Sequence, residues 1–184
     1  TIELIVTSEA YAATSTSKDV LADGTDYAFR GPAPKRLTAE QFVDAVWHIT
    51  DTAPGKTAAD FGDRAGEPVR ASTVQSDLLM RILGRPNREQ VVTTRPAQLT
   101  TLQALDLTNG STLATLLKQG AKNMIGASTQ ATQRDLITDV FQKALQREPS
   151  EDELANCAEL IVDSQLNDGV EDLLWTVFML PEFQ

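Results

Sequence analysis

The sequence has one cysteine, Cys157, and one histidine, His48, among 184 residues. A lone cysteine cannot close an internal disulfide, and one residue of each kind cannot complete the Cys and His ligand sets of zinc sites. For the same reason there is no c-type haem attachment motif, which needs a pair of cysteines before a histidine. A serine or cysteine nucleophile would have only His48 as its imidazole base, and no nucleophile signature stands near it. Positive charge is also scarce: 16 Lys and Arg stand against 26 Asp and Glu, a formal net charge of -10. That field repels phosphate backbones and anionic lipid, which argues against a nucleic-acid partner. Apolar runs are short, and the longest, Leu173 to Leu180, falls far below the roughly 18 to 20 residues a membrane-spanning helix needs. There is no internal repeat and no low-complexity tract, so neither a solenoid nor a coiled coil is supported. The chain opens at Thr1 without a basic-then-apolar leader, so any targeting segment is expected to lie upstream of it or to have been removed.

The apolar pattern that is present has helical spacing nearly throughout. It predicts an all-α fold, a single compact multi-helix domain of about six to seven helices with long irregular connections. The first element, residues 1–11 with Ile2, Leu4, Ile5 and Val6, fits a helix or a strand. Residues 12–34 and 51–74 are rich in turn formers and read as long loops, the first pinned by Tyr27 and Phe29. Between them Thr38 and Gln41 form a capping box, and a helix runs to Thr50 on a stripe of Phe42, Ala45, Val46 and Ile49. Val43 and Trp47 lie on its opposite face, which makes the helix either central or interfacial.

Further helices are expected over 76–83, stopped by Gly84 and Pro86, and over 98–108, with Asn109-Gly110 as a helix-to-helix joint. Leu113, Leu116, Leu117, Ala121 and Met124 mark the next helix. Leu136, Ile137, Val140, Phe141, Ala144 and Leu145 mark another, ending at 147–149. Ser150 and Glu153 cap a helix whose apolar face is Leu154, Cys157, Ala158 and Ile161, so Cys157 reads as a core thiol. The last helix, from about Asp168 to Leu180, is apolar nearly all round, with Trp175 and Met179 opposite the main face. That pattern suggests burial between two layers, and its removal should unfold the domain.

Motifs for chemistry are few. Gly55-Lys56-Thr57 would end a phosphate-binding loop only if glycine preceded Gly55 by five positions, and Thr50 stands there, so a turn is the better reading. Residues 60–68, DFGDRAGEP, lack the alternating oxygen ligands of a calcium loop. His48, at the edge of its helix's apolar stripe, reads as a partly buried structural residue. The unusual charge feature is Arg81, Arg85, Arg88 and Arg95, a candidate clamp for an anion, a carboxylate or a partner. The alternative is structural: guanidiniums that bond helix C-terminal carbonyls and neighbouring carboxylates. Carboxylate pairs for glycoside hydrolysis could be drawn from many acidic residues, most of which read as caps or solvated faces.

Four stretches together resemble a known family: RLTAEQFVDAV at 36–46, GRPNREQVVTTRP at 84–96, LTTLQALDLTNG at 99–110 and LLWTVFMLPEFQ at 173–184. The chain resembles the C-terminal domain of unknown function, number fifteen fifty-three in that series, of large proteins abundant in planctomycetes and related bacteria. LIVTSEAY at 4–11 resembles the helical segment that precedes the first motif in that family, which favours helix for the first element. The resemblance implies an exported multidomain protein, in the periplasm or a similar compartment, of a kind that often carries a cytochrome c-like domain near its N-terminus. Any haem would then belong upstream, with no cofactor in this stretch, and upstream domains of the same protein become the expected partners. A buried free Cys157 is compatible with an oxidising compartment. The function expected is a non-catalytic module that docks those domains or another partner through Trp47, Trp175 or the arginine segment. The alternative is a binding or hydrolytic domain for an anionic or carbohydrate ligand built on residues 81–95.

Overall fold

The computed structural model describes residues 1–13, 35–55, 69–86, 99–127, 132–162 and 166–184. Every regular element among them is helical: α1 Ile2–Val6, α2 Glu9–Ala12, α3 Ala39–Thr50, α4 Leu78–Ile82, α5 Thr101–Asn109, α6 Ser111–Ala127, α7 Gln133–Leu145, α8 Glu151–Val162 and α9 Leu166–Met179, with a 3-10 turn at Ala71–Thr73. The all-α expectation therefore holds. Tyr27, Phe29, the 60–68 segment and Lys56-Thr57 lie outside the described residues.

The chain divides into two units, Thr1–Arg36 and Leu37–Gln184. In the first, the open choice between helix and strand resolves as two short helices. Ser8 separates them: its Oγ donates to the Ile5 carbonyl of α1 (2.7 Å) and accepts from the Tyr11 N–H of α2 (3.2 Å). A helix of five residues has too few internal bonds to hold itself, and neither α1 nor α2 buries a residue.

The second unit is built on capped helix starts. Thr38 and Gln41 close a reciprocal capping box on α3, and Ser150 and Glu153 close another on α8. Two more, Thr100 with Gln103 on α5 and Thr132 with Asp135 on α7, set helix starts that apolar periodicity alone did not locate. Thus α5 begins at Thr101, not 98. Likewise α4 begins at Leu78, because the Asp77 carboxylate accepts the Met80 N–H at 2.7 Å, and α9 begins at Leu166, ahead of Asp168. Such caps satisfy N–H groups that have no partner within the helix, each stabilising by about 1 kcal/mol.

The core sits where α9 meets α6, α7 and α8. Val170, Leu173, Leu174, Val177 and Phe178 are wholly buried there, and α3 packs across α6 and α7 with Phe42, Val43, Val46, Trp47 and Ile49 inside. α6 comes unusually close to the end of α3. A side chain at Gly120 would put its Cβ 2.5 Å from Thr50 Cβ, so only glycine lets the helices meet. One turn on, the Asn123 amide donates to the carbonyls of Thr50 (3.0 Å) and Asp51 (2.9 Å), oriented by a bond from Gln119 to its oxygen. These are end-of-helix carbonyls, and Asp51 itself is left-handed at φ 51. α3 is thus capped by a side chain of another helix. At the C-terminus, Phe183 stacks on Phe178 at 4.8 Å and meets Phe42 edge-on at 5.7 Å, while the Leu37 N–H donates to the Gln184 carbonyl.

Candidate functional site

Of the arginine segment, Arg81 and Arg85 are among the described residues, and Arg88 and Arg95 lie outside them. Gly84, at φ 94, turns the chain back after α4: its N–H donates to the Arg81 carbonyl and the Arg85 N–H to the Met80 carbonyl, a Schellman ending. That turn aims Arg85 inward. Its Nη1 donates to the Ala71 carbonyl (2.8 Å) and to Met80 Sδ (2.9 Å), and its Nη2 to the carbonyls of Ser72 (3.2 Å) and Val74 (3.0 Å). Its Nε faces Glu40 at 3.7 Å, and the side chain is 9% exposed. A guanidinium has five N–H donors in a fixed fork, and three of the bonds made here go to carbonyls of the 71–74 strap. From the other side Asp44 accepts the Ala71 N–H at 2.6 Å. Arg85 is therefore a brace for that strap. Arg81 is at the surface, with its Nε bonded to the Asp77 carbonyl at 3.3 Å. The two arginines do not converge, since one is turned in and the other out.

The two tryptophans separate as well. Trp47 is only 7% exposed and belongs to the core, so it offers no interface ring. Both apolar faces of α3 are buried, which makes that helix central, and the expectation of an interface at Trp47 is corrected accordingly. Trp175 is 37% exposed. The α6–α7–α8 side takes the main face of α9, and from the opposite side the indole N–H donates to the Leu107 carbonyl at the end of α5, at 3.1 Å. Leu107 is in the last turn of α5, whose carbonyls lack partners in their own helix.

Beside this bond lies a cleft of about 220 Å³. Leu107, Thr108 and Gly110 form its wall at the α5–α6 joint, Leu113, Ala114 and Leu117 its floor on α6, and Glu171, Asp172 and Trp175 its wall on α9. The carboxylates stand four and three residues before the indole, on one side of α9. Among the described residues neither has an ion-pair partner. The joint is tight because a Cβ at Gly110 would collide with the Asp106 carbonyl oxygen and lie 2.7 Å from its carboxylate. Next to the cleft, α5 turns Gln103 and Leu107 inward and leaves Leu102 and Leu105 outside, 60% and 59% exposed. Sequence reading singled out Trp175 and the Asn109-Gly110 joint but not their meeting; the one available signal was the acidic pair three and four positions before an aromatic.

Other groups serve the fold. His48 is exposed, contrary to the expectation of a partly buried residue. Cys157 is buried, and that burial, together with Glu153, raises its thiol pKa, making it a poor nucleophile. Among the described residues no three His, Cys, Asp or Glu side chains converge as metal ligands. None of the described helices is long and apolar enough to cross a membrane. Among the described residues the densest charge cluster joins Arg147 to Glu153 and Glu182, both at 2.8 Å, with the guanidinium 5.5 Å from the Phe141 ring centre. The Arg147 hydrogen bonds, with that from the Ser150 backbone, hold the Glu153 carboxyl down to about 2, and Glu182 is lowered by the same arginine. The cluster fastens the α7–α8 corner to the C-terminal segment.

Fold and site together define an all-α bundle domain whose distinctive surface feature is an aromatic, acid-edged cleft at a helix joint. The family model described as protein of unknown function (DUF1553) matches residues 1–161, and the chain belongs to that family. The match covers the α5–α6 wall of the cleft and stops before α9, which carries Trp175. No curated protein and no solved structure matches the chain.

Proposed function

We propose that this chain is a non-catalytic helical module that docks a protein partner through the Trp175 cleft. The partner would be an upstream domain of the same longer protein or a separate chain. The observation that carries this reading is a part-exposed indole in a cleft, beside two carboxylates of the same helix that have no ion-pair partner among the described residues, with exposed leucines on α5. Aromatic residues with one polar edge satisfied and one apolar face open are the usual anchors of interfaces. The competing reading, an anion site at residues 81–95, loses support because the Arg85 donors are consumed by backbone carbonyls and Met80. We place the module in a periplasmic or otherwise exported protein beside a cytochrome c-like haem domain. That part of the proposal rests on the motif resemblance alone.

The test is thermal melting of the chain with the separately produced upstream region, alongside acidic sugars, sulfated glycans and small carboxylates. A rise in Tm with the protein partner that disappears in Trp175→Ala supports docking. A saturable rise with one anionic compound that is lost in Arg81→Gln overturns it in favour of a ligand site.

A further inference from the structure

The cleft's size and lining narrow the occupant, given the docking reading on which this rests. At about 220 Å³ it falls below the roughly 300 to 1,000 Å³ of pockets that enclose drug-sized ligands or cofactors. It has room for a long side chain rather than a free metabolite. Its floor is aliphatic, from Leu113, Ala114 and Leu117, one wall is an indole, and carboxylates belong to the same α9 wall. Lysine and arginine match this sequence of surfaces. Their methylene stems cover apolar area while the charged head seeks an anion, and a cation beside an indole face gains a further attraction. A neutral or acidic anchor would leave Glu171 and Asp172 desolvated and unpaired, which is costly. We infer that the cleft receives a lysine or arginine side chain projecting from a polypeptide partner, whose apolar residues on either side of that anchor cover Leu102 and Leu105.

The probe is a short labelled helical peptide of leucine, alanine and lysine, measured by fluorescence anisotropy against the whole chain. It is compared with a peptide in which every lysine is glutamate and another in which every leucine is serine. The lysine–leucine peptide should bind roughly tenfold or more tightly than either. Glu171→Lys with Asp172→Lys should cost it roughly tenfold. The same charge change on α8, through Asp152→Lys with Glu159→Lys, should cost far less, because α8 lines no part of the cleft. Asp172→Lys alone, at an exposed position, guards against misfolding of the double variant.

Equal losses from the α8 reversal would mean bulk attraction to an acidic protein and would overturn the inference. Saturation of the cleft by free arginine, with no gain from the peptide's leucines, would overturn it as well. If the glutamate peptide bound as well as the lysine peptide and both were lost in Trp175→Ala, docking would stand and the basic anchor would not. If Trp175→Ala left all peptide binding intact, both readings would fail.

Discussion

Two glycines on one helix should respond to alanine with opposite signs. Gly126 has nothing within 4 Å of the position a Cβ would take, whereas Gly120 would meet Thr50 Cβ at 2.5 Å and Thr50 Cγ2 at 2.6 Å. Carbon atoms pack best at roughly 3.5 to 4.0 Å, so α6 in Gly120→Ala must back away from α3 by about 1 Å. Alanine gains about 0.8 to 1 kcal/mol of helix propensity at either site. At Gly126 that gain stands alone, and the variant should be stabilised by about 0.5 to 1 kcal/mol. At Gly120 overpacking costs about 1 to 3 kcal/mol. Retreat of α6 also stretches the two bonds from Asn123 to the end of α3, each worth about 1 kcal/mol. The net expectation is destabilisation of about 1 to 3 kcal/mol, a Tm lowered by roughly 2 to 12 °C in a protein of this size. Urea and thermal unfolding followed by circular dichroism would read both variants. Thr50→Ser removes the Cγ2 contact, so the Thr50→Ser, Gly120→Ala pair should lose less than the sum of its single changes. A Gly120→Ala variant as stable as Gly126→Ala would refute the close approach of α6 to α3.

Three further outcomes follow from the same structure. Asn123→Ala should destabilise by about 1 to 2 kcal/mol, and Asn123→Asp by more at neutral pH, because a carboxylate has no N–H to offer and faces the negative end of α3; chemical denaturation ranks the three. Glu153 has a folded pKa of about 2 against 4.5 when unperturbed. Its contribution to stability is therefore complete above about pH 4.5 and is lost as pH falls towards about 2. Arg147→Met should bring Glu153 back towards its ordinary value and flatten the pH dependence of stability across that window, as followed by side-chain carboxyl NMR and by melting at each pH. Phe183→Ala, which removes a ring buried against Phe178 and Phe42, should cost about 3 kcal/mol or more, and amide exchange should show Leu37 losing protection along with it.

Much of the fold was legible because helix faces and capping boxes are local patterns. Phe42, Val46 and Ile49 on α3, Ile137, Val140 and Phe141 on α7, and Leu173, Leu174 and Val177 on α9 are all buried as their spacing implied. The site was less legible because it depends on which helix lies opposite which. Trp47 and Trp175 occupy equivalent sequence settings, each on the second face of an apolar helix. Only the strap and helices around α3 decide that one is covered, and only the position of the α5 end decides that the other is not. Arg85 was open to two readings for a similar reason. A guanidinium after a helix-ending glycine can face solvent or return to the chain, and the choice is made by residues 71–74, more than ten positions upstream.

The cleft owes its shape to contacts that are not part of its lining. Gly110 lets the α5–α6 joint close against Asp106, and Gly120 with Asn123 locks the middle of α6 onto the end of α3. α9 is fixed independently by its wholly buried face. Both walls are therefore held by the core rather than by whatever enters between them. An occupant would not have to order the site, so the entropic cost of association falls mainly on its own side chains, and affinity should track the match of charge and apolar area at the cleft. This links stability to function in a testable direction. A change at Gly120 that shifts α6 should weaken docking although it lies outside the cleft, whereas Gly126→Ala, on the same helix, should leave it intact.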